Sequence, residues 1–277
     1  MTHSVHANGA EIPAIGLGTF TLTGRTATRL VAEAVRAGYR HVDTAAMYDN
    51  EQAVGAGLRE AGVPREEIFL TTKVWPSDIA QGDLQRSVEA SLTRLAVDQV
   101  DLALIHWPSP SIPLADSIKA LNDVHDRGLA RHIGVSNFTV ALLDEAVSLS
   151  RHPLVCNQVE YHPYLNQDRV LAACHRHGMA VVSYCPLGRG SELLAESAVR
   201  EAAENHGKTP AQVVLRWHVQ QQGVAAIPRS SNPEHVAANL DVFDFALSAG
   251  EVQAIDALRA HQHRICDFDF APAWDPV

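Results

Sequence analysis

Short apolar runs alternate with amphipathic segments along most of the chain. The runs are rich in Val, Ile and Leu, and glycines at positions typical of helix ends, such as Gly38, Gly128 and Gly178, precede several of them. This pattern predicts buried strands separated by helices. Eight runs occur, at residues 14–20, 39–45, 68–75, 100–107, 132–137, 154–161, 179–187 and 223–228.

The segments between the runs have helical periodicity. Leu30 and Ala34 share one face of a predicted helix over residues 28–38, and residues 83–95 repeat the pattern. Strict alternation of strand and helix indicates parallel strands with helical crossovers. Eight such units without a dividing linker predict one α/β domain over residues 1–277. We expect a closed (β/α)8 TIM barrel rather than an open doubly wound sheet, because such barrels take about 250 residues.

The residues before the first run contain a hairpin signal. In "SVHANGAEIPA", the Asn-Gly pair Asn8 and Gly9 lies between two short segments that could be strands. We therefore predict an N-terminal β-hairpin that closes the bottom of the barrel.

Charge and composition narrow the class of protein. The formal net charge is −10 and no cluster of Lys and Arg occurs, which argues against a nucleic-acid partner or an anionic membrane surface. No secretory signal precedes the first run, and no segment approaches the roughly 18 apolar residues of a membrane span. The four scattered cysteines are expected to be reduced thiols. We expect a cytoplasmic enzyme, a monomer, whose partner is a small molecule.

Motifs for phosphate or metal binding are incomplete or absent. "GLGTF", residues 16–20, lacks the third glycine of a dinucleotide fingerprint, and no Walker sequence is present. The histidine pairs His175/His177 and His261/His263 are spaced so that their side chains point to different helix faces. We therefore expect no metal site.

Ionisable residues follow three neighbouring predicted strands. Asp43, Lys73 and His106 come at strand ends, and Tyr48 follows Asp43 closely. Barrel enzymes place their chemistry at the carboxyl ends of the strands. A lysine that ends an apolar strand needs an anion nearby, and Asp43 can supply it. The alternative is a purely structural ion pair with a histidine packed at the rim.

The chain resembles the aldo-keto reductases. The matching motifs cover nearly all of it in order: "IGLGTF", "HVDTAAMYDNEQAVG", "TTKVW", "LIHWP", "GVSNF", "NQVEYHP", "SYCPLG" and "IPRSSNPEHVAANLDVFDF". The stretch "HWPSP" is most similar to the bacterial 2,5-diketo-gluconate reductase and methylglyoxal reductase branch. The resemblance implies a catalytic tetrad of Asp43, Tyr48, Lys73 and His106. It implies that NAD(P)H gives a hydride to a carbonyl carbon while Tyr48 protonates the oxygen, with Lys73 lowering the pKa of the phenol.

The resemblance also implies contacts with cofactor and substrate. Ser136, Asn137 and Gln158 would hold the nicotinamide carboxamide, and Tyr184 would stack on the ring. The full set of implied cofactor contacts is Gly18, Thr19, Ser136, Asn137, Gln158, Tyr184, Pro186, Leu187, Gly188, Pro228, Arg229, Ser230, His235 and Asn239. An apolar substrate wall would consist of Phe20, Trp75 and Trp107, with Trp274 either a fourth side or simply packed at the rim.

The adenosine end departs from the family pattern. Arg229 and Ser230 remain for a 2′-phosphate, but His235 replaces a permanent cation and Ala238 replaces an adenine contact. Because histidine changes its charge between about pH 5 and 8, we expect NADPH to be preferred modestly and NADH to be usable. With no arginine obvious on the inner side of the pocket, small or aromatic aldehydes and dicarbonyls are the expected substrates, with keto-sugar acids as a further class.

Two other functions fit parts of the pattern. One is a cofactor-sensing binding module of the same fold with little turnover, which the complete tetrad argues against. The other is a barrel isomerase or aldolase that forms a Schiff base on Lys73. This reaction would need Lys73 to be partly deprotonated, and the neighbouring Asp43 opposes that.

Overall fold

An antiparallel hairpin lies at the amino-terminal end of the chain. Its strands are Ser4–Ala7 (β1) and Ala10–Pro13 (β2). Asn8 and Gly9 form the turn with φ of 45° and 89°, the positive values that a two-residue turn of this type needs. The prediction of a hairpin at the Asn-Gly pair is confirmed.

Eight parallel strands follow, each hydrogen-bonded to the next in chain order. Our computed structural model describes residues 3–190 and 192–276. The strands are Leu17–Gly18 (β3), His41–Asp43 (β4), Phe69–Val74 (β5), Val100–Ile105 (β6), Ala130–Ser136 (β7), Leu154–Glu160 (β8), Ala180–Tyr184 (β9) and Val224–Ala226 (β10). Each falls within or overlaps one of the eight apolar runs, so the predicted (β/α)8 fold is confirmed.

Helices cross over between the strands. They are Gly24–Arg36 (α1), Glu51–Ala61 (α2), Asp83–Leu95 (α3), Leu114–Asp126 (α4), Val140–Leu149 (α5), Asp168–Arg176 (α6), Glu192–Ala195 (α7), Ser197–His206 (α8), Pro210–Val219 (α9), Pro233–Leu240 (α10) and Ala249–Asp256 (α11). The start of α9 shows how sequence sets a boundary. Thr209 accepts a hydrogen bond from the backbone N–H of Gln212, whose side chain accepts one from Thr209 N–H, and Pro210 follows the cap.

The sheet closes between its first and last strands. Ile15 and Ala226 form a parallel bridge, and Gly18 N–H donates to Pro228 O at 3.0 Å. A side chain at Gly18 would place its Cβ 2.7 Å from Ile227 O, so the close approach of the two strands requires glycine there.

Strand β6 shows why the strands read as continuous apolar runs. Ala103 and Ile105 pack outward among helices, while Leu102 and Leu104 lie in an inner cluster with Ile12 of the hairpin. Both faces are therefore buried, as expected for a parallel sheet covered by helices. The hairpin fills the amino-terminal end of the barrel. None of the described helices combines the length and apolar character needed to cross a membrane.

Candidate active site

Three neighbouring strand ends bring four ionisable side chains together at the carboxyl end of the barrel. Asp43 is the last residue of β4, Lys73 lies near the end of β5, and His106 follows β6. Tyr48 ends a short 3-10 turn after β4. Lys73 and Asp43 are almost completely buried, and Tyr48 is half-buried.

The Lys73 ammonium group is fully engaged. Its Nζ lies 2.5 Å from Asp43 Oδ1, 2.9 Å from Thr44 O and 3.2 Å from Tyr48 Oη. An ammonium has three N–H donors and no acceptor, so all three are satisfied and Tyr48 must accept the third bond. The proton of Tyr48 is then left to point away from Lys73. The other oxygen of Asp43 accepts from Gln158 Nε2 at 2.8 Å.

Opposing effects act on the pKa values of the pair. Burial would lower the pKa of Lys73, but Asp43 and Tyr48 outweigh it and raise the value. Burial raises the pKa of Tyr48, while Lys73 opposes the rise without reversing it. The expectation that Lys73 brings the Tyr48 phenol below its usual pKa therefore does not hold for the net shift, because loss of hydration is the larger effect.

His106 lies beside Tyr48, with ring centroids 5.7 Å apart in an edge-on arrangement. Burial, aided by the charge of Lys73, holds the pKa of His106 well below its usual value, so the ring is neutral at pH 7. Its Nδ1 is buried with no hydrogen-bond partner among the described residues. Nε2 is therefore the nitrogen that can serve a ligand in the adjoining cavity.

A polar network connects the ends of the next three strands, β7, β8 and β9, to this group. Asn137 Nδ2 donates to His106 O at 2.9 Å, and Asn137 Oδ1 accepts from Tyr184 Oη at 2.8 Å. Ser136 Oγ donates to Gln158 O at 2.7 Å. Asn137 adopts a φ of 63°, a left-handed conformation that asparagine tolerates better than most residues. The network fixes these side chains relative to His106.

A cavity of about 650 Å³ opens over the tetrad. Fifteen of the 21 predicted site residues line its wall. The wall includes Asp43, Tyr48, His106, Gly18, Thr19, Phe20, Trp75, Trp107, Asn137, Gln158, Tyr184, Pro186, Leu187, Pro228 and Arg229. Lys73 lies behind Tyr48, and Ser136 lies behind Gln158.

The remaining predicted cofactor residues lie off the cavity wall. Ser230 accepts a hydrogen bond from Asn232 N–H in a turn just before α10. On α10, His235 is exposed and Asn239 is buried. Gly188 lies in the loop after β9, next to the lining residue Leu187.

Aromatic residues of the C-terminal segment complete the cavity wall, and the sequence reasoning missed them. Phe270 packs edge-on against Trp75 and Trp107, both at 5.5 Å, and Phe268 lies 5.7 Å from Trp107. In the sequence, the aromatic residues at alternate positions in "DFDF" were the signal that could have indicated this part of the wall. Trp274 packs on Trp107 at 6.0 Å but does not line the cavity, as the rim-packing alternative supposed.

The loop after β9 and the C-terminal segment add further residues to the wall. Cys185, Arg189 and Cys266 line it, and Arg189 Nη2 lies 3.8 Å from Cys266 Sγ. Besides Arg229, which was predicted at the adenosine end, Arg189 also borders the cavity, and the sequence did not indicate it. The loop has no periodic pattern that would have revealed its position.

The histidine pairs noted in the sequence have separate partners. His175 Nε2 is 2.8 Å from Gln222 O, and His177 Nε2 is 2.6 Å from Asp144 Oδ1. A different group, His125, Asp126 and His152, has potential ligand atoms within 4.8 Å of one another at the end of α4. Asp126 there is already bonded to His152 and Arg151.

Comparison with known proteins gives the same family as the motifs. Residues 14–260 match the model of the aldo/keto reductase family. The chain is 40% identical to methylglyoxal reductase DkgB of Escherichia coli O157:H7 over 267 residues, 95% of this chain and 99% of the relative. A solved structure provisionally named 2,5-diketo-D-gluconic acid reductase B superposes with a TM-score of 0.96 at 43% identity, over 100% of this chain and 98% of that one.

A structure with bound cofactor is also similar. An aldo-keto reductase of Bombyx mori in complex with NADP superposes with a TM-score of 0.89 at 34% identity, over 96% of this chain and 95% of that one. The chain thus belongs to the aldo/keto reductase family, an oxidoreductase family that acts on carbonyl groups and uses nicotinamide cofactors.

Proposed function

We propose that this protein reduces aldehydes and ketones to alcohols, with Tyr48 as the general acid. The observation that carries the proposal is the saturation of Lys73. Since all three ammonium donors are engaged, Tyr48 accepts from Lys73 and directs its own proton towards the cavity. A carbonyl oxygen that lies between Tyr48 Oη and His106 Nε2 would receive that proton.

The pKa directions support this division of roles. Tyr48 keeps its proton at neutral pH because burial raises its pKa, and an acid must hold a proton before it can donate one. Lys73 stays charged and stabilises the phenolate that remains after transfer. Neutral His106 donates one hydrogen bond to the carbonyl oxygen as negative charge develops there.

The residues around the cavity fit a nicotinamide cofactor. Gln158 gives its amide N–H to Asp43, which leaves its carbonyl oxygen for a carboxamide N–H. Asn137 would hold the same group, and Tyr184 offers a ring face on the cavity wall. Arg229 and Ser230 would meet a 2′-phosphate, which favours NADPH over NADH. The bound cofactor supplies the hydride.

The cavity wall indicates the substrate class. Phe20, Trp75, Trp107, Phe268 and Phe270 make its substrate side apolar. We infer small or aromatic aldehydes and dicarbonyls as substrates, in keeping with the relative that reduces methylglyoxal. Arg189, which borders the same cavity, extends the inference to keto acids because a guanidinium pairs with a carboxylate.

The decisive experiment follows NADPH consumption by the purified protein over a panel of carbonyls: methylglyoxal, benzaldehyde, a keto-sugar acid and a phosphorylated sugar. We expect oxidation with the first three and little with the last. Binding of NADPH without turnover on any carbonyl would favour a cofactor-sensing module instead. A borohydride-trappable adduct on Lys73 would favour Schiff-base chemistry, which the raised pKa of Lys73 opposes.

A further inference from the structure

Two thiols from distant parts of the chain meet at the wall of the cavity. Cys185 directly follows β9, and Cys266 lies in the C-terminal segment. Both side chains line the same wall, where Arg189 Nη2 lies 3.8 Å from Cys266 Sγ, and each thiol affects the ionisation of the other. Cys185 is half-buried, whereas Cys266 is 8% exposed, so a reagent in the cavity reaches Cys185 more easily.

The environment makes the two thiols unequal. The neighbouring Cys266 thiol, with help from Arg189, holds the pKa of Cys185 below its usual value in spite of burial. Cys185 in turn raises the pKa of Cys266. Because thiolates are the nucleophilic form of cysteine, Cys185 is the attacking sulfur and Cys266 the one positioned to follow.

The other two cysteines are poorly placed to react with a disulfide reagent. Cys156 and Cys174 are completely buried in the barrel. Burial raises the pKa of both thiols, to about 12 for Cys174. Neither lines the cavity.

We propose that Cys185 and Cys266 are a redox-active pair that low-molecular-weight disulfides convert to an intramolecular disulfide. In the first step the Cys185 thiolate attacks one sulfur of the reagent, forming a mixed disulfide and releasing one thiolate. In the second step Cys266 loses its proton and attacks the Cys185 sulfur, releasing the second thiolate. Two protein thiols are oxidised and one reagent disulfide is reduced to two thiols.

The disulfide would join two sides of the cavity. Cys185 is followed by the lining residues Pro186 and Leu187, and Cys266 precedes the lining residue Phe268 by two positions. Linking them fixes the loop after β9 to the aromatic segment over the substrate side. We expect slower exchange of ligands and a several-fold lower turnover, which dithiothreitol restores. This effect on turnover rests on the proposed reductase function, but the thiol chemistry does not.

The test treats the purified full chain with glutathione disulfide. We expect wild type to lose two titratable thiols without gaining glutathione mass, and to yield a cross-linked peptide pair containing Cys185 and Cys266. The variant Cys266→Ser should stop at a stable adduct of one glutathione on Cys185. Cys185→Ser should react far more slowly, and Cys174→Ala, the matched control, should behave as wild type.

Several results would overturn the proposal. These are four unreacted thiols in wild type, a stable glutathione adduct on wild type, or a cross-link between other cysteines. If the disulfide forms but the oxidised and reduced proteins have equal turnover, the link across the cavity has no functional effect. The predicted loss of turnover is then wrong, although the disulfide itself is confirmed. If the reduced protein reduces no carbonyl, the proposed reductase function fails while the thiol result stands.

Discussion

At the scale of single residues, the site depends on a buried lysine whose positive charge needs hydrogen-bond and ion-pair partners. An unpaired charge in the barrel would cost several kcal/mol, and Lys73 avoids this cost through Asp43, Thr44 O and Tyr48. The same bonds orient Tyr48. Stability and chemistry therefore depend on the same three contacts, so substitutions at different members of the group are needed to separate them.

Tyr48→Phe removes one hydroxyl group and keeps the ring packed against Phe20 and His106. We expect carbonyl reduction to fall by at least about a hundredfold, the usual contribution of a positioned acid, while NADPH affinity changes little. Steady-state turnover and fluorescence titration with NADPH measure the two quantities. A variant that keeps more than about a tenth of wild-type turnover would show that another group donates the proton.

Lys73→Met should abolish most activity and also destabilise the fold, by about 3–5 kcal/mol, because Asp43 would be left as an unpaired buried charge. The double variant Asp43→Asn with Lys73→Met should recover much of the stability without the activity. Residual alcohol oxidation by either variant should need higher pH than in wild type, since Lys73 opposes the rise in the pKa of Tyr48. An unchanged pH profile would remove Lys73 from the proton transfer.

His235 is exposed on α10, and the family resemblance assigns its position to a second cation for a 2′-phosphate. His235→Arg places a permanent cation at this exposed position, so it should raise the NADPH-to-NADH ratio of kcat/KM several-fold. His6→Arg, an exposed histidine on β1 at the opposite end of the barrel, is the control. An unchanged ratio in His235→Arg would show that this position does not meet the 2′-phosphate.

At the scale of elements, the C-terminal segment is attached to the barrel through the carboxylate of Glu160 at the end of β8. Its oxygens accept from Ile265 N–H at 2.7 Å and from Cys266 N–H at 2.6 Å, and His162 Nε2 lies 2.9 Å away. The carboxylate is completely buried. It therefore sets the position of the aromatic residues that follow Cys266.

Burial would raise the pKa of Glu160, but the bonds from His162, Ile265 and Cys266 outweigh it and lower the value. A lowered folded-state pKa stabilises the protein above the ordinary value of about 4.3 for glutamate. This stabilisation is lost as the pH falls through the lower folded-state value. Glu160→Gln should cost about 1.5–3 kcal/mol at pH 7, and the difference from wild type should shrink below about pH 4.

Urea titrations of wild type and Glu160→Gln at several pH values test this dependence. Glu201→Gln, an exposed position on α8, is the matched control and should differ little from wild type at any pH. Glu160→Gln should also raise KM for benzaldehyde, because the segment with Phe268 and Phe270 is held less firmly. A constant difference in stability across the pH range would show that the Glu160 charge does not matter.

At the scale of the whole molecule, the barrel was predictable because its signal is local. Each strand is buried on both faces and each helix on one, so hydrophobic periodicity reports the elements directly. The convergence of Asp43, Tyr48, Lys73 and His106 was predictable from the same reasoning, since the carboxyl ends of the strands meet at one end of the barrel. Phe270 and Arg189 were not predictable in this way, because their positions depend on tertiary contacts of irregular segments, with Trp107 and Cys266 respectively. The net pKa of Tyr48 also needed the three-dimensional burial.

We expect substitutions at the amino-terminal end of the barrel to change its stability without changing catalysis, which takes place at the carboxyl end. At the amino-terminal end, Asn8 Nδ2 donates to Leu154 O at 2.8 Å and to His177 O at 2.9 Å, which ties the hairpin turn to β8 and to the end of α6. Asn8→Gly removes both bonds but tolerates the φ of 45°, and should cost about 1–2 kcal/mol. Asn8→Ala should cost about 1 kcal/mol more, because alanine resists a left-handed conformation.

Thermal or urea unfolding of the two Asn8 variants measures these costs. Because both variants lack the two hydrogen bonds, the difference in their free energies of unfolding gives the contribution of the left-handed backbone conformation. Both variants should keep wild-type kcat and KM below their unfolding range, because the tetrad lies at the opposite end of the barrel. Equal stability of Asn8→Gly and wild type would mean that the turn is held by the apolar contacts of Ile12 alone. A change in kcat for either variant would mean that the hairpin influences the site through the strands, and the division between the two ends would be wrong.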